Sequence, residues 1–312
     1  MPVRPRSGGL EWWVDIHKRD KEMIQISQQS SGIWVRTADD KPLFFYSTDP
    51  RFRTHIHPLN VPGTQYPMSR FRPPDHPWQY GIFCGLNKVN GFDFWCSGDA
   101  HYPPGERGLM ANRKVINAGP TEEGGGFTAI NDWTSPDGSL VLEERQGIGV
   151  PDQEADDSYV FDLQWELRAS RGNLYIEQSE YGGFSARLVG QPETRRHLNS
   201  EGHSGDECAG QAARWVSVAQ PVDGVGTYSR ADRESFAYAG LAIFDHPQNL
   251  CFPNKWRVDG NGMINPAFAL SQPVDMAPEE ALVFNYRVYV FKGVGQRAVI
   301  EAQYRAWEAG LV

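Results

Sequence analysis

Four cysteines are all that 312 residues contain, and Cys84, Cys96, Cys208 and Cys251 form no Cys-x-x-Cys pair. Zinc ribbons and dithiol redox motifs are thereby excluded, and reduced, buried thiols are expected. No apolar run approaches the roughly 18 residues that a membrane helix needs. Basic residues are in the minority, 30 Lys and Arg against 39 Asp and Glu, for a net charge of −9. A chain of that sign with no local basic cluster repels nucleic acid and anionic lipid, so neither is an expected partner. The basic start, Met1 to Ser7, runs into Gly8-Gly9 without an apolar core or cleavage site. A cytoplasmic location is therefore expected. Nucleotide and α/β-hydrolase signatures are missing too. There is no Gly-x-Gly-x-x-Gly, Gly124-Gly125-Gly126 has no phosphate-loop lysine, and no Gly-x-Ser-x-Gly elbow occurs.

What the chain has in quantity is turn punctuation, 32 Gly and 22 Pro, between short apolar or alternating runs. That pattern predicts an all-β protein, a large antiparallel β-sandwich. The clearest strand runs from Tyr159 to Leu167, with Tyr159, Phe161, Leu163, Trp165 and Leu167 on one face and Asp162, Gln164 and Glu166 on the other. Further strands are expected at 23–27, 33–37, 43–47, 126–132, 140–145, 174–180, 184–189, 215–219 and 240–244. Between Ala281 and Phe291 both alternating sets are apolar, which predicts a central strand covered on both faces. One helix is expected from about Gln296 to Ala309, where Val299, Ile300, Gln303, Tyr304 and Trp307 recur at helical spacing before Gly310. The polar stretch Gln191 to Gln211 reads as a long loop or flap. No linker, repeat or low-complexity segment divides the chain, so 1–312 is read as a single domain.

Chemistry-bearing residues concentrate in three places. The first is 53–95, which holds Arg53, His55, His57, Arg70, Arg72, Asp75-His76-Pro77, Gln79, Tyr80 and Trp95. His55 and His57 are two apart and share a face of an extended segment. Proline follows His57 and His76, holding each histidine's backbone extended. The second is Glu180-Tyr181-Gly182-Gly183-Phe184 with Arg187. There Glu180 ends the alternation of Leu174, Ile176 and Gln178, as a carboxylate either paired or suited to proton transfer. Gly182-Gly183 would admit a ligand or another backbone, or form a bulge. The third is Asp245-His246-Pro247 with Asn249 and Trp256, a second Asp-His-Pro in which a carboxylate can orient an imidazole. His57, His76, Glu180 and His246 are the candidate acids and bases. Arg53, His55, Arg70, Arg72, Gln79, Tyr80, Trp95, Arg187, Asn249 and Trp256 are the candidate substrate contacts. Their spacings match neither His-Glu-x-x-His nor an EF-hand, and a divalent metal held by His57, His76 and Glu180 is left open. Tryptophans within polar stretches, such as Trp78, Trp95 and Trp256, suit stacking on the C–H face of a sugar ring.

Taken in order, these motifs resemble a bacterial family labelled PmoA-like or methane-oxygenase PmoA. The resemblance rests on Arg53-x-x-x-His57-Pro58, Asp75-His76-Pro77, Gly91-Phe92-Asp93-Phe94-Trp95, Glu180-Tyr181-Gly182-Gly183-Phe184 and Ala242-Ile243-Phe244-Asp245-His246-Pro247-x-Asn249. It covers most of the chain. Family members usually carry two histidines and an Arg-Gly after the first Asp-His-Pro, where this chain has Trp78-Gln79-Tyr80-Gly81. The methane-oxygenase label itself is not carried over, because that subunit is an integral membrane protein. The resemblance implies a β-sandwich of the large kind seen in galactose mutarotases and several polysaccharide lyases, and an association with sugar catabolism. A carbohydrate-active enzyme of lyase, hydrolase or epimerase type, acting on a small glycoside or keto-sugar, is the leading expectation. The alternative is a non-catalytic carbohydrate-binding or sensory domain. Self-association is left open.

Overall fold

The computed structural model describes residues 24–97, 106–222 and 238–310. Two eight-stranded antiparallel sheets make up most of it. The first begins as a meander of β1 (Ile24–Gln29), β2 (Gly32–Thr37), β3 (Pro42–Ser47), β4 (His55–Leu59) and β5 (Ile82–Leu86). It continues through β11 (Gly182–Arg187) and β16 (Met263–Pro266) to β15 (Trp256–Val258). In the second sheet, β6 (Leu109–Pro120), β7 (Gly124–Thr134), β8 (Leu140–Pro151) and β9 (Ser158–Arg168) form a meander. Beyond β9 come β18 (Ala281–Lys292), β14 (Tyr238–Asp245), β13 (Trp215–Pro221) and β12 (Arg196–Asn199). A small ladder pairs β10 (Leu174–Ile176) with β17 (Val274–Met276), and the helices are α1 (Phe268–Ser271) and α2 (Arg297–Glu308).

Alternation sets which face each strand buries. In β9, Tyr159, Phe161, Leu163, Trp165 and Leu167 are all buried, as their spacing predicts. The inner faces of the two sheets meet directly: Phe44 lies 4.8 Å from Phe161, Tyr46 5.0 Å from Phe127, and Phe184 5.2 Å from Tyr286, ring centroid to centroid. A polar cluster lies within this core around Glu144. The fully buried Glu144 accepts hydrogen bonds from Trp133 Nε1 (3.0 Å), Trp165 Nε1 (2.6 Å), Asn131 Nδ2 (2.9 Å) and Gln146 Nε2 (2.9 Å). Four donors replace the water that a buried carboxylate gives up.

On the outer face of the second sheet, α2 covers Tyr289 and Phe291 of β18 with Ile300 and Tyr304. The central strand is therefore covered on both faces over its second half, while Ala281 and Val283 stay exposed. Three expectations are corrected. Val299 faces solvent, because the buried stripe of α2 is Ile300 and Tyr304, four apart. The strand expected at 174–180 stops at Ile176 after three residues. The expected flap at 191–211 contains β12, which closes one edge of the second sheet against β13. No helix among the described residues is long and apolar enough to cross a membrane.

Candidate functional site

The connection between β4 and β5 is pinned to the end of β11, where Arg70 N–H donates to the Arg187 carbonyl (2.8 Å) and Arg187 N–H to the Gly81 carbonyl (2.7 Å). Its tip is two successive β-turns, closed by His76 N–H to the Pro73 carbonyl and Gln79 N–H to the His76 carbonyl, each 3.0 Å. Pro74 and Pro77 occupy the second positions of these turns, where a fixed φ is already right. The prolines thus hold Asp75 and His76 at a rigid corner.

A chain of side-chain bonds runs through that corner. Arg187 Nη2 donates to Asp75 Oδ2 (2.7 Å), and the same oxygen is 2.9 Å from His76 Nδ1. Arg187 Nη1 donates to Gln79 Oε1 (3.0 Å), and Gln79 Nε2 to Met263 Sδ (3.4 Å). Burial alone would raise Asp75, but the hydrogen bonds from His76 and Arg187 outweigh it and hold the carboxyl at about 2. An ionised carboxylate only accepts, so Nδ1 of His76 carries a hydrogen, which makes Nε2 the lone-pair nitrogen of the neutral imidazole.

His76 borders a cavity of about 330 Å³, within the range of small-ligand sites. Trp78, Trp95 and Tyr181 supply its aromatic walls, with Gln79, Arg257 and Asp259 as polar lining. Alternation puts the cavity on the outer face of the first sheet, since Ile82, Cys84 and Ile264 join the inter-sheet core while Phe83 and Met263 pack with Trp95 and Cys96. Trp95 and Tyr181 are 5.2 Å apart, and the Arg257 guanidinium stands 5.4 Å from the Tyr181 ring. Asp259 Oδ1 accepts the N–H groups of Asn261 (3.0 Å) and Met263 (3.2 Å), which fixes the carboxylate.

Of the expected site residues, His76, Gln79 and Trp95 line this cavity, and Arg187 holds Asp75 behind it. The others do not converge on it. Glu180 has a side chain 80% exposed and, among the described residues, reaches only Arg257 Nη1, at 3.4 Å, because the chain leaves the strand before it. His57 stacks on Phe71 at 5.2 Å and engages Ser69 Oγ at 2.9 Å. His55 is buried beside Phe71 and Tyr80, with Nδ1 on the Arg53 carbonyl. Burial holds both imidazoles at about 4, so each is neutral at pH 7. Arg53 is buried too. It donates to the carbonyls of Cys84 and Trp95, and a Cβ on Gly85 would meet its guanidinium at 2.3 Å. Arg53 therefore braces the Trp95 segment from beneath. Tyr80 is buried among Phe52, Phe71 and Phe83, Arg72 bonds the Pro77 carbonyl, and Arg70 is exposed. Gly183, at φ +128°, accommodates a backbone, since a Cβ there would lie 2.9 Å from the Pro266 carbonyl oxygen.

The second Asp-His-Pro is a different object. Asp245 is fully buried and accepts from Asn249 Nδ2 (2.8 Å), Asn254 N–H (2.9 Å) and Asn254 Nδ2 (3.0 Å). Burial nevertheless pushes its pKa up to about 6. The Asn249 side-chain amide also ties the Asn285 backbone, donating Nδ2 to its carbonyl (2.8 Å) and accepting its N–H at Oδ1 (2.7 Å), so it is structural. Trp256 is fully buried with Nε1 on the Ala213 carbonyl. His246 lies 5.1 Å from Trp307 and lines a separate groove on the outer face of the second sheet. His76 and His246 thus stand on opposite outer faces of the sandwich. Among the described residues no group of three or more His, Cys, Asp or Glu is gathered as a metal site, so His57, His76 and Glu180 form no ligand set.

The cavity also uses residues that motif reading passed over, Arg257, Asp259, Met263 and Cys96. A signal for two of them, Arg257 and Asp259, is present. Asp259-Gly260-Asn261-Gly262 has hairpin-turn chemistry, and Trp256-Arg257-Val258 before it alternates as a strand does.

A family model of unknown function, DUF6807, matches residues 34–305. The chain belongs to that family. No curated protein matches it. Among solved structures, an α-galactosidase from Lactobacillus brevis aligns over 90% of this chain and 41% of its own, at 11% identity and a TM-score of 0.38. The galactosidase domain of the α-galactosidase-sucrose kinase AgaSK aligns over 88% of this chain and 41% of its own, at 8% identity and 0.35. A polysaccharide lyase aligns over 88% and 32%, at 12% identity and 0.27. This chain spans about two fifths or less of those proteins, and likenesses of this size transfer no activity.

Proposed function

We propose that this DUF6807 member is a carbohydrate-active enzyme that takes a small glycoside or keto-sugar into the aromatic cavity and moves a proton with His76. The observation that carries this reading is the Arg187–Asp75–His76 chain ending at that cavity. Asp75 fixes the tautomer that leaves Nε2 basic, and its negative charge stabilises the imidazolium once Nε2 has taken a proton. Arg187 keeps Asp75 ionised and in place. Trp78, Trp95 and Tyr181 offer faces for the apolar side of a sugar ring. Arg257 offers positive charge to an oxygen that gains electron density, such as the enolate formed beside a keto group. Asp259 is the carboxylate within the cavity for a second proton step. The motif resemblance to the PmoA-like family supports the same substrate class.

The test is to incubate the purified protein with glycosides and their keto derivatives, with and without chelator, and to follow release by chromatography. Turnover that is lost in His76→Ala at an unchanged melting temperature is the expected result. Full turnover by His76→Ala would overturn the assignment. Sugar binding without turnover, sensitive to Trp95→Ala but not to His76→Ala, would make this a carbohydrate-binding domain instead.

A further inference from the structure

The groove that His246 lines is larger than the candidate active site, at about 500 Å³, and that site's function makes no use of it. Its floor is the outer face of four neighbouring strands, and the register arranges that face in two rows. Asn285, Gln164, Gly147 and Thr128 are paired across β18, β9, β8 and β7, and beside them run Arg287, Asp162, Gly149 and Gly126. Four strands span about 14 Å from first to last. Trp307 of α2 and His246 wall one end, and Asn117 and Thr121 lie at the other.

The lining has a consistent chemistry. Two amides and a hydroxyl project from the first row, and an indole and an imidazole close one end. The charges in the second row neutralise each other, because Arg287 Nε and Nη2 donate to the two oxygens of Asp162 at 2.7 Å each. His246 Nδ1 accepts from Gln248 N–H (3.2 Å), so its Nε2 carries a hydrogen to donate. Gly147 and Gly149 are the second feature. Glycine inside a strand weakens it, and the usual reasons for one are a positive φ or a crowded Cβ. Neither applies among the described residues: a Cβ on Gly149 would meet nothing of them within 4 Å, and one on Gly147 would meet only ordinary contacts from 3.7 Å outward. The fold has room for side chains there, yet the sequence leaves the backbone bare in the middle of a polar groove.

We propose that this groove binds a neutral oligosaccharide, lying across the strands with hydroxyls on the Gln164 and Asn285 amides, the glycine backbone beneath it and Trp307 against one ring. The site is separate from the His76 cavity and does not depend on the activity proposed there. It would let the protein hold an extended glycan on the face opposite the His76 cavity.

The probes are neutral cello-, xylo-, manno- and malto-hexaose, titrated calorimetrically against the full chain and against Gly149→Val, Gln164→Ala and His76→Ala. At least one hexasaccharide is expected to bind, with affinity reduced tenfold or more by Gly149→Val and Gln164→Ala and unchanged by His76→Ala. Gly149→Val should fold with a melting temperature equal to or above that of the parent, since valine suits an unobstructed strand position. No binding by any of the four sugars would overturn the proposal. So would binding that ignores Gly149→Val and Gln164→Ala, or that His76→Ala abolishes.

Discussion

Asp75-His76-Pro77 and Asp245-His246-Pro247 are the same three residues put to opposite uses. In the first, the carboxylate is 43% exposed, bonds its own neighbour's imidazole and is held ionised by Arg187. In the second, the carboxylate turns away from its histidine into the core and organises Asn249 and Asn254. What separates them is the partner that the rest of the fold delivers. A guanidinium from β11 reaches the first turn, whereas among the described residues only amides and a backbone N–H reach the second. A charged partner keeps a carboxylate available to orient an imidazole. Neutral partners in a buried place make it a structural acceptor with a raised pKa.

The sharpest way to break this contrast is to remove each imidazole. His76→Ala should lower turnover by about 100-fold or more, the usual worth of a positioned acid or base, and His246→Ala should leave it within twofold. Steady-state kinetics on the substrate found by the chromatographic screen decides this, and equal losses from the two variants would erase the distinction.

Next come the aspartates, given one and the same substitution. Asp245→Asn turns an amide donor towards the N–H groups of Asn254, and should cost about 2–3 kcal/mol as buried donors are left unmatched. Asp75→Asn keeps an oxygen for Arg187 and His76 in a partly exposed place, and should cost less than about 1 kcal/mol while still reducing turnover. Denaturant titration separates the two.

A smaller effect concerns pH. His55, His57 and His197 are held by burial at about 4, below the 6.5 of an unfolded histidine. Between pH 4 and 6 the unfolded chain therefore binds three protons that the native one does not. Asp245, raised to about 6, works the other way and gives the native state one proton that the unfolded state lacks. Unfolding in that window should take up about two protons, so stability rises with pH from 4 towards 6.5. Asp245→Asn should steepen the slope to about three. A slope of zero or of opposite sign in the melting free energy would contradict these assignments.

The smallest expected effect is Glu180→Gln, within twofold in turnover because that carboxylate sits at the rim in water. A loss as large as that of His76→Ala would restore Glu180 to the chemistry.

Legibility differed from one part of the chain to the next. The strand at Tyr159–Leu167 and the covered strand at Ala281–Phe291 could be read directly, since a period of two is a local property of the chain. Strands β4, β5, β15 and β16 were harder, because each is short and is interrupted by proline, glycine or charge. Among the site residues, the stiff Pro-flanked turn around His76 was visible. Its partner Arg187 lies more than a hundred positions away, and only sheet pairing brings them together. His57 was misleading for the same reason: its motif says nothing of the Phe71 ring that covers it.

Composition and alternation by themselves determined an antiparallel β protein with a closing helix, because burial of one strand face is decided by neighbours in sequence. Which of two identical Asp-His-Pro turns meets an arginine, and which side chains share a cavity, was decided only by the order in which strands pair. Those contacts join residues far apart along the chain, and local pattern carries no information about them.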